Sequence, residues 1–284
     1  MRILTARLDL ATRMFWRVTG RPIDLATTEQ WLAAPMSASS RIGDGWLHTA
    51  AAALSGTAHE DADHAGLLPD MSQLDGPAFT ATELRPEIRD FYERTSDWRI
   101  EAWTQWNAVF QPGGELISRL FGRRVQQLAL PTRPLEVAHG MDSHVVPITG
   151  PAGDQRAAGW LRTLRSTGHY VFSGCYSIRL LPGSRQPSVH VAFPLEAGNV
   201  QVFLSAQVLP DGALELNSPA GYFGEDGAYV VVDHRERAYA ARLPIGEKFR
   251  VYVDREGTLR ADHTLHLWSA RVLRIHYKLI PASG

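Results

Sequence analysis

Hydrophobic and polar residues alternate along most of the chain after about residue 140, and a period of two predicts β-strands. In residues 258–268, apolar side chains and one histidine occupy the odd positions, while most even positions are polar. Turn-forming residues leave connections too short for crossover helices, so consecutive strands should pair antiparallel as a meander. Nine or ten such runs follow one another: 143–149, 157–165, 169–181, 187–193, 199–208, 213–218, 228–239, 248–253, 258–268 and 272–279.

A meander of nine or ten strands is expected to curl and close, because closure removes the unpaired edges of a sheet. We therefore predict an α+β fold, in which N-terminal helices pack on a C-terminal antiparallel β-barrel of lipocalin-like or calycin-like form. The change of pattern divides the chain into a mainly helical region, 1–140, and a barrel domain, 141–284.

The strongest helical pattern before residue 140 covers residues 85–110. Pro86 suits the first position of a helix, and apolar and aromatic residues then recur at three- and four-residue steps. Trp98, Trp103 and Trp106 lie on or near this stripe. We expect the stripe to pack on the sheet, and the alternative is an aromatic wall over a ligand.

Two other segments before residue 140 carry weaker signals. Residues 115–128 show a second helical stripe. Residues 56–76 are polar and acidic, which predicts a mobile surface segment. Within it, residues 59–64 read His-Glu-Asp-Ala-Asp-His, the one dense cluster of potential metal ligands. Nothing in the sequence indicates a rigid support for this cluster, so we interpret it as a solvated loop and predict no metal site.

The alternation also predicts the register of the last two hairpins, because a slip of one residue would exchange the two faces. In the first hairpin, Phe249 should lie beside His263, with Arg250 facing Asp262 across the outer surface as an ion pair. In the second, a three-residue turn after Trp268 keeps both faces pure. That turn places His263 opposite Tyr277 on the apolar face.

Composition indicates a globular protein and argues against nucleic-acid binding. Of the 284 residues, 44% are hydrophobic and 21% are charged, which is ordinary for soluble domains. The 29 basic and 30 acidic residues give a net charge of −1, whereas nucleic-acid binders carry a basic surplus. All but two of the basic residues are arginine. This bias is typical of a GC-rich genome, so individual arginines are discounted as functional signals.

The cysteine count and the hydropathy pattern limit the remaining classes. Cys175 is the single cysteine, which excludes an intramolecular disulfide and a multi-thiolate metal site. The N-terminus lacks the apolar core of a signal peptide, and no run of 18 apolar residues occurs. We therefore expect a cytoplasmic protein without a membrane span.

The chemistry that remains is centred on His263 and Tyr277. The sequence contains no phosphate-binding glycine loop, no nucleophile elbow and no zinc-binding motif, so we predict no cofactor. A histidine can move protons near neutral pH, and a tyrosine can donate a hydrogen bond to a developing oxyanion. A core histidine satisfied by a core tyrosine is the structural alternative.

An apolar interior favours the binding of a small hydrophobic molecule. The first hypothesis is a cofactor-independent cyclase or isomerase that folds a polyketide- or terpenoid-like substrate within the cavity. The second is a non-catalytic carrier of lipid-like ligands, and the third is an interaction module that docks through 56–76. His263 and Tyr277 are the candidate catalytic residues. The candidate substrate-binding residues are Trp98, Trp103, Trp106, Phe249 and Tyr176.

Overall fold

Fourteen strands form one sheet in the computed structural model, which describes residues 14–37, 43–106, 140–235 and 237–282. The strands are β1 Arg21–Ile23, β2 Thr57–Ala58, β3 Trp98–Trp106, β4 Met141–Thr149, β5 Gln155–Leu164, β6 Tyr170–Arg179, β7 Ser188–Leu195, β8 Gly198–Val208, β9 Leu214–Ser218, β10 Gly227–His234, β11 Arg237–Arg242, β12 Ile245–Val253, β13 Leu259–Leu267 and β14 Ala270–Pro281. Helices are α1 Trp46–Ala53 and α2 Pro86–Glu93, with 3₁₀ turns at Gln30–Leu32, Met71–Leu74, Ala81–Glu83 and Thr95–Asp97, and residues 14–19 are also helical.

The sheet is open, so the prediction of a closed β-barrel is wrong. Neighbouring strands run in the order β2, β4 to β9, β12, β13, β14 and β3. The meander branches at β8, whose first half pairs with β10 while its second half pairs with β9. Because of this branch, β10, β11 and β1 lie outside the row of strands that would have to close into a barrel. Strand β3 approaches β4, but no ladder joins them in the described residues.

The prediction of an N-terminal helical layer packed on a barrel is also wrong, because the described residues before 107 form only short helices and part of the predicted 85–110 helix is a strand. Helix α2 ends at Glu93, where the Thr95 hydroxyl donates a hydrogen bond of 2.6 Å to the Phe91 carbonyl oxygen. The chain then extends into β3, which pairs with β14 along its whole length. The unpaired edge of β14 gives these aromatic and β-branched residues a partner strand, and strand pairing overrides the helical pattern.

Segment 56–76 is not a mobile surface segment, since much of it belongs to the core. Leu67, Leu68, Met71 and Leu74 are at most 1% exposed. Their side chains pack with α2 against the inner face of the sheet. Burial of its apolar side chains, rather than exposure of its acidic ones, therefore determines the position of the segment. The helix predicted over 115–128 lies outside the described residues.

The sheet curls so that one face of most strands surrounds a common core. Val145, Val191, Leu216 and Leu279 come from β4, β7, β9 and β14 and belong to the same buried cluster. Segment 65–93 lies across this cluster, and it contributes residues from the 3₁₀ turns and α2. A single curled layer with a covering segment can therefore bury a large apolar interior without closing.

The outer face of β4 to β6 is covered by helix α1. Trp46 and Leu47 are fully buried against it, and the Trp46 indole donates a hydrogen bond of 2.8 Å to the Ser173 hydroxyl. Glycine at position 159 allows this approach, because a Cβ there would overlap the Leu47 side chain. The helix therefore packs closely on the outer side of strands whose inner side contributes to the cavity wall.

The register prediction is confirmed for β12–β13 and wrong for β13–β14. Phe249 pairs with His263 as predicted. In the next hairpin, Ala261 rather than His263 lies opposite Tyr277. A bulge follows Leu265 and the turn at Trp268 is shorter than predicted, with Trp268 at a φ of 51°. The shift is two residues, so both side chains remain on the inner face.

Candidate functional site

An apolar cavity lies inside the curled sheet. About 130 Å³ of it is available to the centres of water-sized molecules. Strands from both ends of the sheet contribute to its wall, and α2 contributes Phe91 and Tyr92. Its aromatic lining includes Trp160, Phe172, Tyr176, Phe193, Phe249 and Tyr277.

Arg162 is the basic side chain with the most unusual position in this lining. It is 7% exposed and its Nε atom has no hydrogen-bond partner. Burial lowers the pKa of the guanidinium. One terminal nitrogen lies 3.6 Å from the Met141 sulfur, and the guanidinium lies 5.5 Å from the centre of the Trp160 ring. No carboxylate in the described residues lies within ion-pair distance of it.

Tyr277 and Tyr176 provide hydroxyl groups near this arginine. Burial raises the pKa of Tyr277, and the neighbouring positive charge of Arg162 partly opposes this effect. Burial also holds the pKa of Tyr176 well above its usual range. Both phenols are therefore neutral near pH 7 and act as hydrogen-bond donors.

Glu247 and His263 form the second charged group in the cavity. They are 9% and 8% exposed, and His263 Nε2 lies 3.2 Å from Glu247 Oε2. The contact does not satisfy hydrogen-bond geometry, so both ring nitrogens of His263 lack hydrogen bonds within the described protein. Such a pair can exchange a proton with a group bound in the cavity.

The cavity brings together four of the seven residues predicted from sequence. His263, Tyr277, Phe249 and Tyr176 line it. The shifted register places Ile275, rather than Tyr277, opposite His263, so the expected direct cross-strand pair is not formed.

The three tryptophans do not form the aromatic wall considered above. Trp98 is buried, but it packs against α2 and donates a hydrogen bond of 3.0 Å to Asp90. Trp103 points to the opposite face of β3 and is 52% exposed. The backbone of Trp106 pairs with Leu273.

Sequence analysis missed Arg162 and Glu247, although the alternation contained a signal for each. Arg162 shares the inner face of β5 with Trp160, but the general excess of arginine led us to discount it. The strand predicted over 248–253 begins three residues earlier in the structure. Extending its alternation backward places Glu247 on the same face as Phe249.

The histidines of the 59–64 cluster have separate partners. His59 Nε2 lies 2.8 Å from the Thr149 hydroxyl. His64 Nδ1 lies 2.7 Å from an Asp97 carboxylate oxygen. No three potential metal ligands come together in the described part of the chain.

A chain of buried polar groups lies outside the cavity. Ser177 Oγ is 2.8 Å from His190 Nδ1, and His190 Nε2 is 2.9 Å from Gln201 Oε1. Gln201 in turn donates a hydrogen bond of 2.8 Å to the Leu32 carbonyl oxygen. Burial lowers the pKa of His190 to about 3. This histidine does not accept a proton near neutral pH, and the network holds segment 30–37 against the sheet.

These features define a curled antiparallel sheet around an apolar cavity with two buried charged groups. Over 225 residues, or 78% of the chain, the sequence is 27% identical to the uncharacterised membrane protein YndJ of Bacillus subtilis strain 168. The match covers 39% of that protein, so the chain spans about two fifths of its length. No known protein family matches the chain, and no solved structure shows significant similarity. Among the described residues, no helix has both the length and the apolar character needed to cross a membrane.

Proposed function

We propose that the protein binds a small, largely hydrophobic molecule inside the curled sheet. The observation that carries this proposal is the cavity itself, whose wall consists mainly of aliphatic and aromatic side chains with few polar groups. Ligand sites commonly combine such a wall with a few polar groups that set orientation.

Native mass spectrometry of the protein purified from the organism that encodes it tests this proposal directly. We expect an additional mass of a few hundred daltons that dissociates on denaturation. A variant with a filled cavity, Ala102→Phe, should lose this mass, because Ala102 lines the cavity. The matched variant Gln105→Phe, at an exposed position of the same strand, should keep it. Equal retention of the mass by both variants would place the ligand elsewhere.

A second candidate function is a cofactor-independent cyclase or isomerase, and the Glu247–His263 pair favours it. The pair faces the cavity and has no hydrogen bonds from other described groups to hold its proton in place. Proton removal next to a carbonyl is an elementary step of such reactions. Arg162 and Tyr277 would stabilise the negative charge that forms on the carbonyl oxygen.

Deuterium exchange into a simple ketone tests the catalytic candidate without knowledge of the substrate. We expect the protein to accelerate exchange next to the carbonyl of 2-decanone in D₂O, as followed by NMR. His263→Asn should reduce this rate by roughly 10²-fold or more, and the exposed-site variant His48→Asn should leave it unchanged. Exchange by the wild-type protein at the rate of buffer alone would leave binding as the sole proposal.

A further inference from the structure

We propose that the ligand is a medium-chain carboxylic acid and that Arg162, assisted by Tyr277, binds its carboxylate. This inference rests on the proposed function, since it specifies the chemistry of the molecule in the same cavity. The juxtaposition that carries it is a buried, incompletely bonded arginine at the wall of an apolar cavity.

The bonding of Arg162 leaves its buried Nε–H donor without a partner. A guanidinium has five N–H donors in a planar fork. The described contacts of the guanidinium are a methionine sulfur and two aromatic faces. A sulfur is a weak acceptor, and aromatic faces do not replace an anion. Burying a charge without an anionic partner is unfavourable, whereas a carboxylate could accept two parallel hydrogen bonds from the fork.

The other charges in the cavity leave room for one anion. Glu247 is the carboxylate in the described lining, and it lies next to His263 rather than in an ion pair with Arg162. Arg162 is therefore a cationic side chain of the described lining with no carboxylate at ion-pair distance. A ligand with one negative charge would balance it, while a cationic ligand would leave two like charges buried together.

The cavity has room for more than one small group. The centres of water-sized molecules can occupy about 130 Å³ of it, whereas a single water-sized sphere fills only roughly 10–15 Å³. We take an acid of about ten carbon atoms as the test length for a cavity of this size. The aromatic and aliphatic lining would surround the hydrocarbon chain, and the carboxylate would lie at Arg162.

Calorimetric titration with three ligands of equal chain length tests the inference on the wild-type protein. We expect decanoate to bind roughly tenfold or more tightly than 1-decanol, and decyltrimethylammonium to bind least. Equal affinity for decanoate and decanol would overturn the carboxylate assignment while leaving the binding function intact. Binding of none of the three would overturn both proposals for ligands of this size.

Variants then identify the group responsible for the preference. Arg162→Met should remove the tenfold preference for decanoate and leave decanol binding within about threefold. Arg179→Met is the matched control, since Arg179 also has a buried Nε without a hydrogen-bond partner but does not line the cavity. It should retain the preference. Tyr277→Phe preserves the aromatic ring, and it should weaken the binding of decanoate but not that of decanol. This variant tests the site even if Arg162→Met fails to fold. An unchanged preference in both cavity variants would overturn the proposal.

Discussion

The ring of Phe249 stacks on the imidazole of His263, with ring centres 3.8 Å apart and planes inclined by 14°. The two residues are directly opposite each other on β12 and β13. Glu247, two residues before Phe249, contacts the same imidazole. The imidazole is therefore held by one strand on its face and at its edge, which fixes its direction within the cavity.

The stacked pair should show a measurable coupling. Phe249→Ala should lower the free energy of unfolding by about 2–4 kcal/mol, because it removes a ring from the core. In the double variant with Phe249→Ala and His263→Ala, the loss of unfolding free energy should be smaller than the sum of the two single losses by about 0.5–1.5 kcal/mol. Urea unfolding of the two single variants and the double variant measures this difference. As a control, Trp31→Ala changes a residue in a separate cluster, and its loss of unfolding free energy should add to that of His263→Ala. Additive losses for Phe249→Ala and His263→Ala would contradict the stacking interaction.

The buried His190 should make the protein less stable in acid. Its pKa is about 3 in the folded protein, against an ordinary value of 6.5. Between these values the unfolded state binds a proton that the folded state does not. The free energy of unfolding therefore falls as the pH falls through this window, by up to about 1.4 kcal/mol per pH unit.

A comparison of variants isolates this contribution from the carboxylates. The stability difference between wild type and His190→Gln should shrink as the pH is lowered from 6.5 toward 4, in urea unfolding at each pH. His48→Gln replaces an exposed histidine and should give a difference that does not change with pH. A constant difference for His190→Gln would mean that the imidazole is protonated in the folded protein.

Cys175 should be inert in the native protein. It is buried, and burial raises the pKa of its thiol to about 12, while the thiolate is the reactive form. We expect no reaction with a thiol-specific disulfide reagent at pH 8 until guanidinium unfolds the chain. A variant with an added cysteine at the exposed position Ser166 should react at once with one equivalent. Rapid reaction of the wild type would show that the outer face opens readily.

Glycine at position 66 should be required for the covering segment to pack. A Cβ at this position would overlap the Glu93 carbonyl and lie 2.8 Å from the Glu93 Cα. Because these are backbone atoms at the end of α2, relief requires a shift of the segment. Gly66→Ala should lower the free energy of unfolding by about 1–3 kcal/mol.

The matched variant for Gly66→Ala is Gly45→Ala. Gly45 has a helical backbone conformation, and no atom lies within 4 Å of the position that an alanine methyl group would occupy there. Alanine at this position should be neutral or stabilise the protein by up to about 1 kcal/mol. Thermal unfolding of both variants provides the comparison, and equal melting temperatures would show that the segment can move away from α2 at no cost.

The strands after residue 140 could be predicted because each strand has one apolar and one polar face. The branch at β8 could not, since its signal is a turn without the usual residues. Arg235 adopts a φ of 50° between β10 and β11, a conformation that normally selects glycine, asparagine or aspartate. The run 228–239 therefore resembles one strand in the sequence. A meander of such unbranched strands predicts a closed barrel.

The candidate site could be predicted only where a residue type stands out from its surroundings. His263 and Tyr277 do so on an apolar face. Arg162 does not, because arginine is common throughout the chain and only burial separates it from the rest. The helix predicted in place of β3 has a related cause. The spacing of Trp98 and Trp106 fits both the helical and the strand period, and pairing with β14 selects the strand.

The branch at β8 also divides the molecule into parts that need not unfold together. Strands β1, β10 and β11 join the rest of the sheet through the first half of β8. Apart from β8, no strand of the cavity wall pairs with them in the described residues. Amide protons of β1, β10 and β11 should exchange with solvent through partial openings that leave the cavity wall folded. The outer hairpin β10–β11 is thus expected to unfold as a separate cooperative unit, with β8 as its boundary with the cavity wall.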